Sequence, residues 1–211
     1  MDGLFLNWVL LMGVFILALA SPGPDFVIAI RYALLYSRKM GVLAALGFAV
    51  GVAIHVAYVL LGLAALIASS VMLFTTIKFI GAAYLFYIGV RALLSQGAKD
   101  KKLAPANHNS ISAKKAFMTG FLTNLLNPKA TMFFLAVFSQ FINVDTAIAI
   151  QIFYAATCVV MTFLWFSFVA IILSNPKIKQ KFIKSTKWID KICGVLLIGL
   201  SVKLLLTTNP S

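Results

Sequence analysis

Two short stretches combine backbone breakers with charge inside otherwise apolar sequence. Ala20-Ser21-Pro22-Gly23-Pro24-Asp25-Phe26 sets two prolines and a glycine against a carboxylate. Asn124-Leu125-Leu126-Asn127-Pro128-Lys129-Ala130 sets a proline between two amides and an ammonium. Proline lacks an N–H, and its ring displaces the carbonyl one turn earlier. The first break therefore predicts free carbonyl acceptors around Leu17 to Ser21 and free N–H donors around Asp25 to Ile28. Donors at a half-helix N-terminus carry positive partial charge and suit a carboxylate. The acceptors, with Asp25, suit an ammonium. A zwitterionic amino acid needs both a few ångströms apart, so Pro22, Gly23, Pro24, Asp25, Asn124, Asn127, Pro128 and Lys129 are the candidate substrate-binding residues. Asp25 and Lys129 have opposite signs and similar expected depth. The simplest electrostatic account pairs them in the empty state; alternatively Asp25 titrates and carries a coupling proton. His55 lies in an apolar run and reads either as a helix-to-helix hydrogen bond or as a proton relay, which makes it the second coupling candidate.

The surroundings of these breaks follow from composition. The chain is 62% hydrophobic and 11% charged, with a mean hydropathy of +1.02. Soluble domains use about 45–50% apolar residues; long, nearly charge-free runs mark a polytopic membrane protein. A formal net charge of +13 would suit nucleic acid if the Lys and Arg residues formed one face. They cluster instead in short stretches between apolar runs, the pattern of membrane topology, and no nucleic-acid partner is expected. Cys158 and Cys193 fall in apolar runs and read as small packing residues. Ala18-Leu19-Ala20 looks like a signal cleavage site, but no positive region precedes the first run, which is expected to be a retained helix.

Six apolar runs extend from about Leu4 to Tyr36, Val42 to Ile67, Val71 to Leu94, Ala116 to Ile142, Thr146 to Leu173 and Ile189 to Leu206. The expected fold is all-α, with six transmembrane helices, broken in the first and fourth, forming a single domain over residues 1–211. Small-residue steps at Gly47 and Gly51, and notches at Gly81 and Gly89, are expected to pack helices closely. Phe26, Tyr58, Tyr84, Tyr87, Phe133 and Phe134 read as packing more than as a substrate wall. The odd-numbered turns hold Arg31, Arg38, Lys39, Arg91, Lys99, Lys101, Lys102, Lys114, Lys115 and the lysines from Lys177 to Lys191, whereas the opposite side holds Lys78 and Lys203. By the positive-inside rule the first group is cytoplasmic and both termini are external.

A shift of 104 residues carries Pro24 onto Pro128 and the start of the second run onto that of the fifth, with a drift of roughly a dozen residues in the third pair. Repeat one covers about 4–94, a cytoplasmic loop 95–115, and repeat two about 116–206. Three is odd, so the second half must be inverted in the membrane. Inverted halves with interrupted helices at matching positions point to a transporter's binding site, and an intramembrane charge marks a pathway.

Ser21-Pro22-Gly23-Pro24-Asp25-Phe26 resembles the first-span motif of the LysE superfamily of amino-acid exporters, in particular its RhtB branch of homoserine and threonine exporters. Gly41 through Gly62, Gly81-Ala82-Ala83-Tyr84-Leu85 with Gly89, and Asn124 through Ala130 fit the same family. The resemblance covers nearly the whole chain. It implies an inner-membrane, multi-pass secondary exporter of small neutral amino acids or close derivatives, driven by the proton motive force. It also implies that Pro22, Gly23, Pro24, Asp25, Asn127, Pro128 and Lys129 matter. The expected partners are the amino acid, a coupling proton and the lipid bilayer, and a homodimer is compatible with the pattern. A basic substrate is disfavoured, because no second buried carboxylate is expected. The rival readings are a channel and a metal or other ion exporter using the same broken-helix site. No cofactor or metal is expected, and no enzymatic motif is present.

Overall fold

An apolar run in lipid must satisfy its own backbone polar groups, and a helix does so within one segment. The computed structural model describes residues 2–21, 23–97, 111–142, 146–173 and 175–207. In chain order they form α1 (Asp2–Ala20), α2 (Pro24–Leu35), α3 (Arg38–Ser69), α4 (Val71–Leu93), α5 (Ala113–Leu125), α6 (Pro128–Phe141), α7 (Ile148–Ile172) and α8 (Pro176–Thr207). Prolines open α2, α6 and α8 at the position where a missing N–H is harmless. Ser70 and Ser112 start α4 and α5 by accepting from the N–H groups of Leu73 and Lys115, at 3.3 and 3.2 Å.

The axes of α1 and α2 bend by 58° at their junction, and those of α5 and α6 by 57°. α3, α4 and α7 each hold a stretch long and apolar enough to cross a membrane, and each bent pair counted as one span brings the total to five. The outward faces are apolar: Phe5, Leu61, Met72, Ile148, Val160 and Val195 are all exposed. The chain is a multi-pass membrane protein. α8 differs from expectation. The basic segment from Lys177 to Lys187, expected as a connector, is helical and continuous with the last apolar run. No glycine or further proline interrupts it before Gly194, and Phe182 stacks on Phe26 of α2, with centroids 5.2 Å apart. The drift of roughly a dozen residues expected from the apolar runs is not seen in the helix starts, since α8 starts 105 residues after α4.

Glycines set the closest helix crossings. A Cβ on Gly47 would collide with the backbone of Phe117 and Gly120 on α5, and one on Gly120 with the backbone of Ala44. Gly81 lies against Ala136 of α6, where a Cβ would stand 2.9 Å from its Cα. Gly89 and Gly194 bring α4 and α8 together backbone to backbone; a Cβ on Gly194 would lie 2.6 Å from the Gly89 carbonyl oxygen. Between these crossings Phe15, Phe48, Phe134, Phe138, Tyr154 and Phe166 fill the interior.

Candidate functional site

The two helix junctions meet. A cavity of about 80 Å³ is lined from the first by Ser21, Gly23, Pro24, Asp25 and Phe26, and from the second by Asn124, Asn127, Lys129 and Ala130. Phe15, Phe133, Phe134 and Phe166 form its apolar wall, so Phe26, Phe133 and Phe134 are cavity residues as well as packing residues. Pro128 opens α6, and Pro22 lies outside the described residues.

The ends facing the junctions differ. Gly23 caps α2 in an extended conformation and no side chain caps the helix, which leaves its first N–H groups available at the break. At α6 the Asn127 side chain covers the end, its Oδ1 accepting from the Lys129 N–H at 3.1 Å. The carbonyl of Leu17, expected to be free, is not. It accepts from the Ser21 N–H at 3.1 Å and from the Cys193 thiol at 3.0 Å, because α8 passes directly behind the break. Cys158 and Cys193 are both buried free thiols.

Asp25 is held by an amide. Asn124 Nδ2 donates to Asp25 Oδ2 at 2.7 Å. Asp25 Oδ1 and Asn124 Oδ1 are buried and have no hydrogen-bond partner among the described residues. No ion pair joins Asp25 to Lys129 among the described residues. The expected pairing gives way to a longer-range arrangement, in which the Lys129 side chain stands open to the cavity with two carboxylates in electrostatic reach. Asn124 itself is positioned by Gly51, where a Cβ would approach its Oδ1 to 2.6 Å.

His55 is fully buried and does not line the cavity. Its Nε2 donates to the Asn124 carbonyl at 3.0 Å, since a carbonyl can only accept. Its Nδ1 contacts the Tyr58 hydroxyl, which reaches Thr131 of α6 at 3.0 Å. The histidine thus ties α3 to both arms of the second junction, one hydrogen bond behind the residue that holds Asp25.

Asp190 overturns the expectation of a single buried carboxylate. It is 4% exposed, with Oδ1 accepting from the Ser21 hydroxyl at 3.1 Å and Oδ2 from the Ser95 hydroxyl at 2.6 Å. Together with Lys129, Arg91, Tyr84 and Tyr87 it lines a second cavity of about 490 Å³, which shares Ser21, Gly23, Pro24 and Lys129 with the first. In the sequence Asp190 sits among lysines and reads as part of a solvated basic stretch. The signal that could have found it is that it opens an apolar run four residues before Gly194 and so shares that glycine's helix face.

The family model described as LysE type translocator matches residues 16–208. The chain belongs to the LysE family of translocators. It is 36% identical over 197 residues to a threonine efflux protein of Escherichia coli, covering 92% of this chain and 95% of that protein. The threonine efflux protein of Salmonella typhimurium is 34% identical over 195 residues, with the same coverage of the two chains. An uncharacterized membrane protein of Bacillus subtilis, YrhP, is 36% identical over 189 residues, or 86% of this chain and 90% of that one. No solved structure matches. Membership makes this LysE-family chain a membrane transporter and not an enzyme.

Proposed function

We propose that this LysE-family translocator exports a small zwitterionic amino acid, of the threonine or homoserine kind, across the cell's inner membrane through the cavity where its two helix junctions meet, in exchange for protons. The observation that carries this reading is the mixed lining of that cavity, with Asp25 and an uncapped α2 N-terminus from one junction and Lys129 and Asn124 from the other. Among the described residues, Asp25 Oδ1 and Asn124 Oδ1 are acceptors without partners. Each such buried group costs about 1–3 kcal/mol, and a substrate ammonium satisfies both. The α2 N–H groups and Lys129 take the substrate carboxylate. The similarity to threonine efflux proteins supports a small neutral substrate.

The architecture behind this is six spans in two inverted halves, with α1–α2 and α5–α6 as broken first and fourth spans, and both termini external. Three features support it: the matched bends of 58° and 57°, the helix starts offset by 104 to 111 residues, and the packing of α3 on α7 and α4 on α8. A zwitterion moves no net charge, so membrane potential alone cannot drive it outward, and another ion must move inward. Asp25 is the proton carrier in this scheme, with His55 behind Asn124 as the second titratable group. Loading cells with a panel of dipeptides and identifying the amino acid that leaves tests the reading. Export unchanged by deletion or overproduction of the protein would reject it, and flux without saturation would favour a channel.

A further inference from the structure

The cavity at the helix junctions has a larger neighbour. The first has a volume of about 80 Å³. The neighbouring cavity of about 490 Å³ lies within the range of roughly 300–1,000 Å³ usual for small-molecule sites, and it shares Ser21, Gly23, Pro24 and Lys129 with the first. We propose that this larger cavity is a second amino-acid subsite, a loading vestibule in which Asp190 takes the substrate ammonium while Arg91 and Lys129 take its carboxylate.

The charges there are of both signs and come from separate helices. Gly89 and Gly194 bring α4 and α8 into backbone contact. Asp190 lies one turn before Gly194, and Arg91 and Ser95 lie just past Gly89, so the crossing sets carboxylate and guanidinium across one space. Asp190 is now held by two neutral hydroxyls, one on each oxygen. An ammonium offers three donors and a full charge, and charge-assisted hydrogen bonds are about twice as strong as neutral ones. It can displace Ser21, which belongs to the first helix junction, and so couple loading to the segment that shapes the inner cavity. Arg91 is steadied by Tyr87, whose hydroxyl accepts from Nη1 at 3.4 Å and whose ring centroid lies 6.0 Å from the guanidinium carbon. Tyr84, Ile88 and Met132 surround the space left for a side chain. Arg91 also belongs to the Lys- and Arg-rich side of the chain, which is the loading side of an exporter.

The subsite rests on the export reading, and the test separates the two. Uptake of labelled threonine into inside-out membrane vesicles is measured for the wild type, Asp190→Asn and Arg91→Gln across a range of threonine concentrations. The expected result is a rise in half-saturation of about 10-fold or more in each variant, with the maximal rate within about threefold of wild type. Arg91 is exposed, so Arg91→Gln reports even if Asp190→Asn fails to reach the membrane. Unchanged half-saturation in Arg91→Gln, or in Asp190→Asn where it is made, would overturn the subsite while leaving export intact. A lost maximal rate at unchanged half-saturation would overturn it too, assigning these residues to the translocation step. A wild type that moves neither threonine, homoserine nor serine would remove the export reading and the subsite with it.

Discussion

Gly51→Ala adds one methyl group at the most sensitive point of the site. The new Cβ would stand 2.6 Å from Asn124 Oδ1, 3.0 Å from its Cβ and 3.1 Å from its Cγ, against ordinary contacts that begin near 3.4 Å. The amide oxygen must retreat by about 0.8 Å, and the side chain that retreats is the one whose Nδ2 holds Asp25 at 2.7 Å. A retreat of that size takes the bond to the edge of hydrogen-bond range. A hydrogen bond to a charged group is worth about 1.5–3 kcal/mol, which corresponds to roughly 10- to 150-fold in rate or affinity. The added strain of a tight core methyl is about 1–3 kcal/mol, so part of the effect will appear as lost stability. Gly62→Ala is the internal control. It lies on the same helix with nothing within 4 Å of its Cβ position, and alanine in a helix interior is favoured over glycine by about 0.5–1 kcal/mol. Efflux from preloaded cells, normalised to membrane-inserted protein measured by a fluorescent fusion, should fall at least 10-fold in Gly51→Ala and stay within twofold in Gly62→Ala. Equal efflux from the two variants would refute the idea that Asn124 positions Asp25 for transport.

Asp25→Asn and Lys129→Met are each expected to abolish export with protein still in the membrane, and normal efflux from either variant would remove that residue from the site. Reporter fusions after Gln96 and after Asn175 should read cytoplasmic and one after Asn143 external; a cytoplasmic signal at Asn143 would end the inverted-repeat account. In vesicles, a pH gradient acid on the side opposite the substrate should drive threonine against its own gradient without sodium, and a protonophore should stop it. Transport that ignores the protonophore and follows sodium would take the coupling role from Asp25.

Several features were legible in residue order because they depend on local chemistry. Proline at the first turn ends one helix and starts the next wherever it falls, so the junctions at Pro24 and Pro128 could be located before any tertiary contact was known. Apolar runs in lipid have little choice but to be helical, which made α3, α4 and α7 readable to within a few residues. The glycine steps at Gly47, Gly51, Gly81 and Gly89 marked crossings, because a helix face without side chains is an invitation to close approach.

Pattern alone could not say which group faces which. Leu17 loses its free carbonyl to Cys193, a residue 176 positions away. Asp25 is bound by Asn124 and not by Lys129, because Gly51 leaves room for the amide where α3 crosses α5. Asp190 shows the limit most plainly. Among lysines in a one-dimensional chain it is a charge in a basic stretch; only the Gly89–Gly194 crossing turns it inward, to Ser21 and Ser95 from two other parts of the molecule. Burial and hydrogen bonding between distant segments are properties of packing, and a side chain's chemistry in a transport site is decided by what the packing sets beside it.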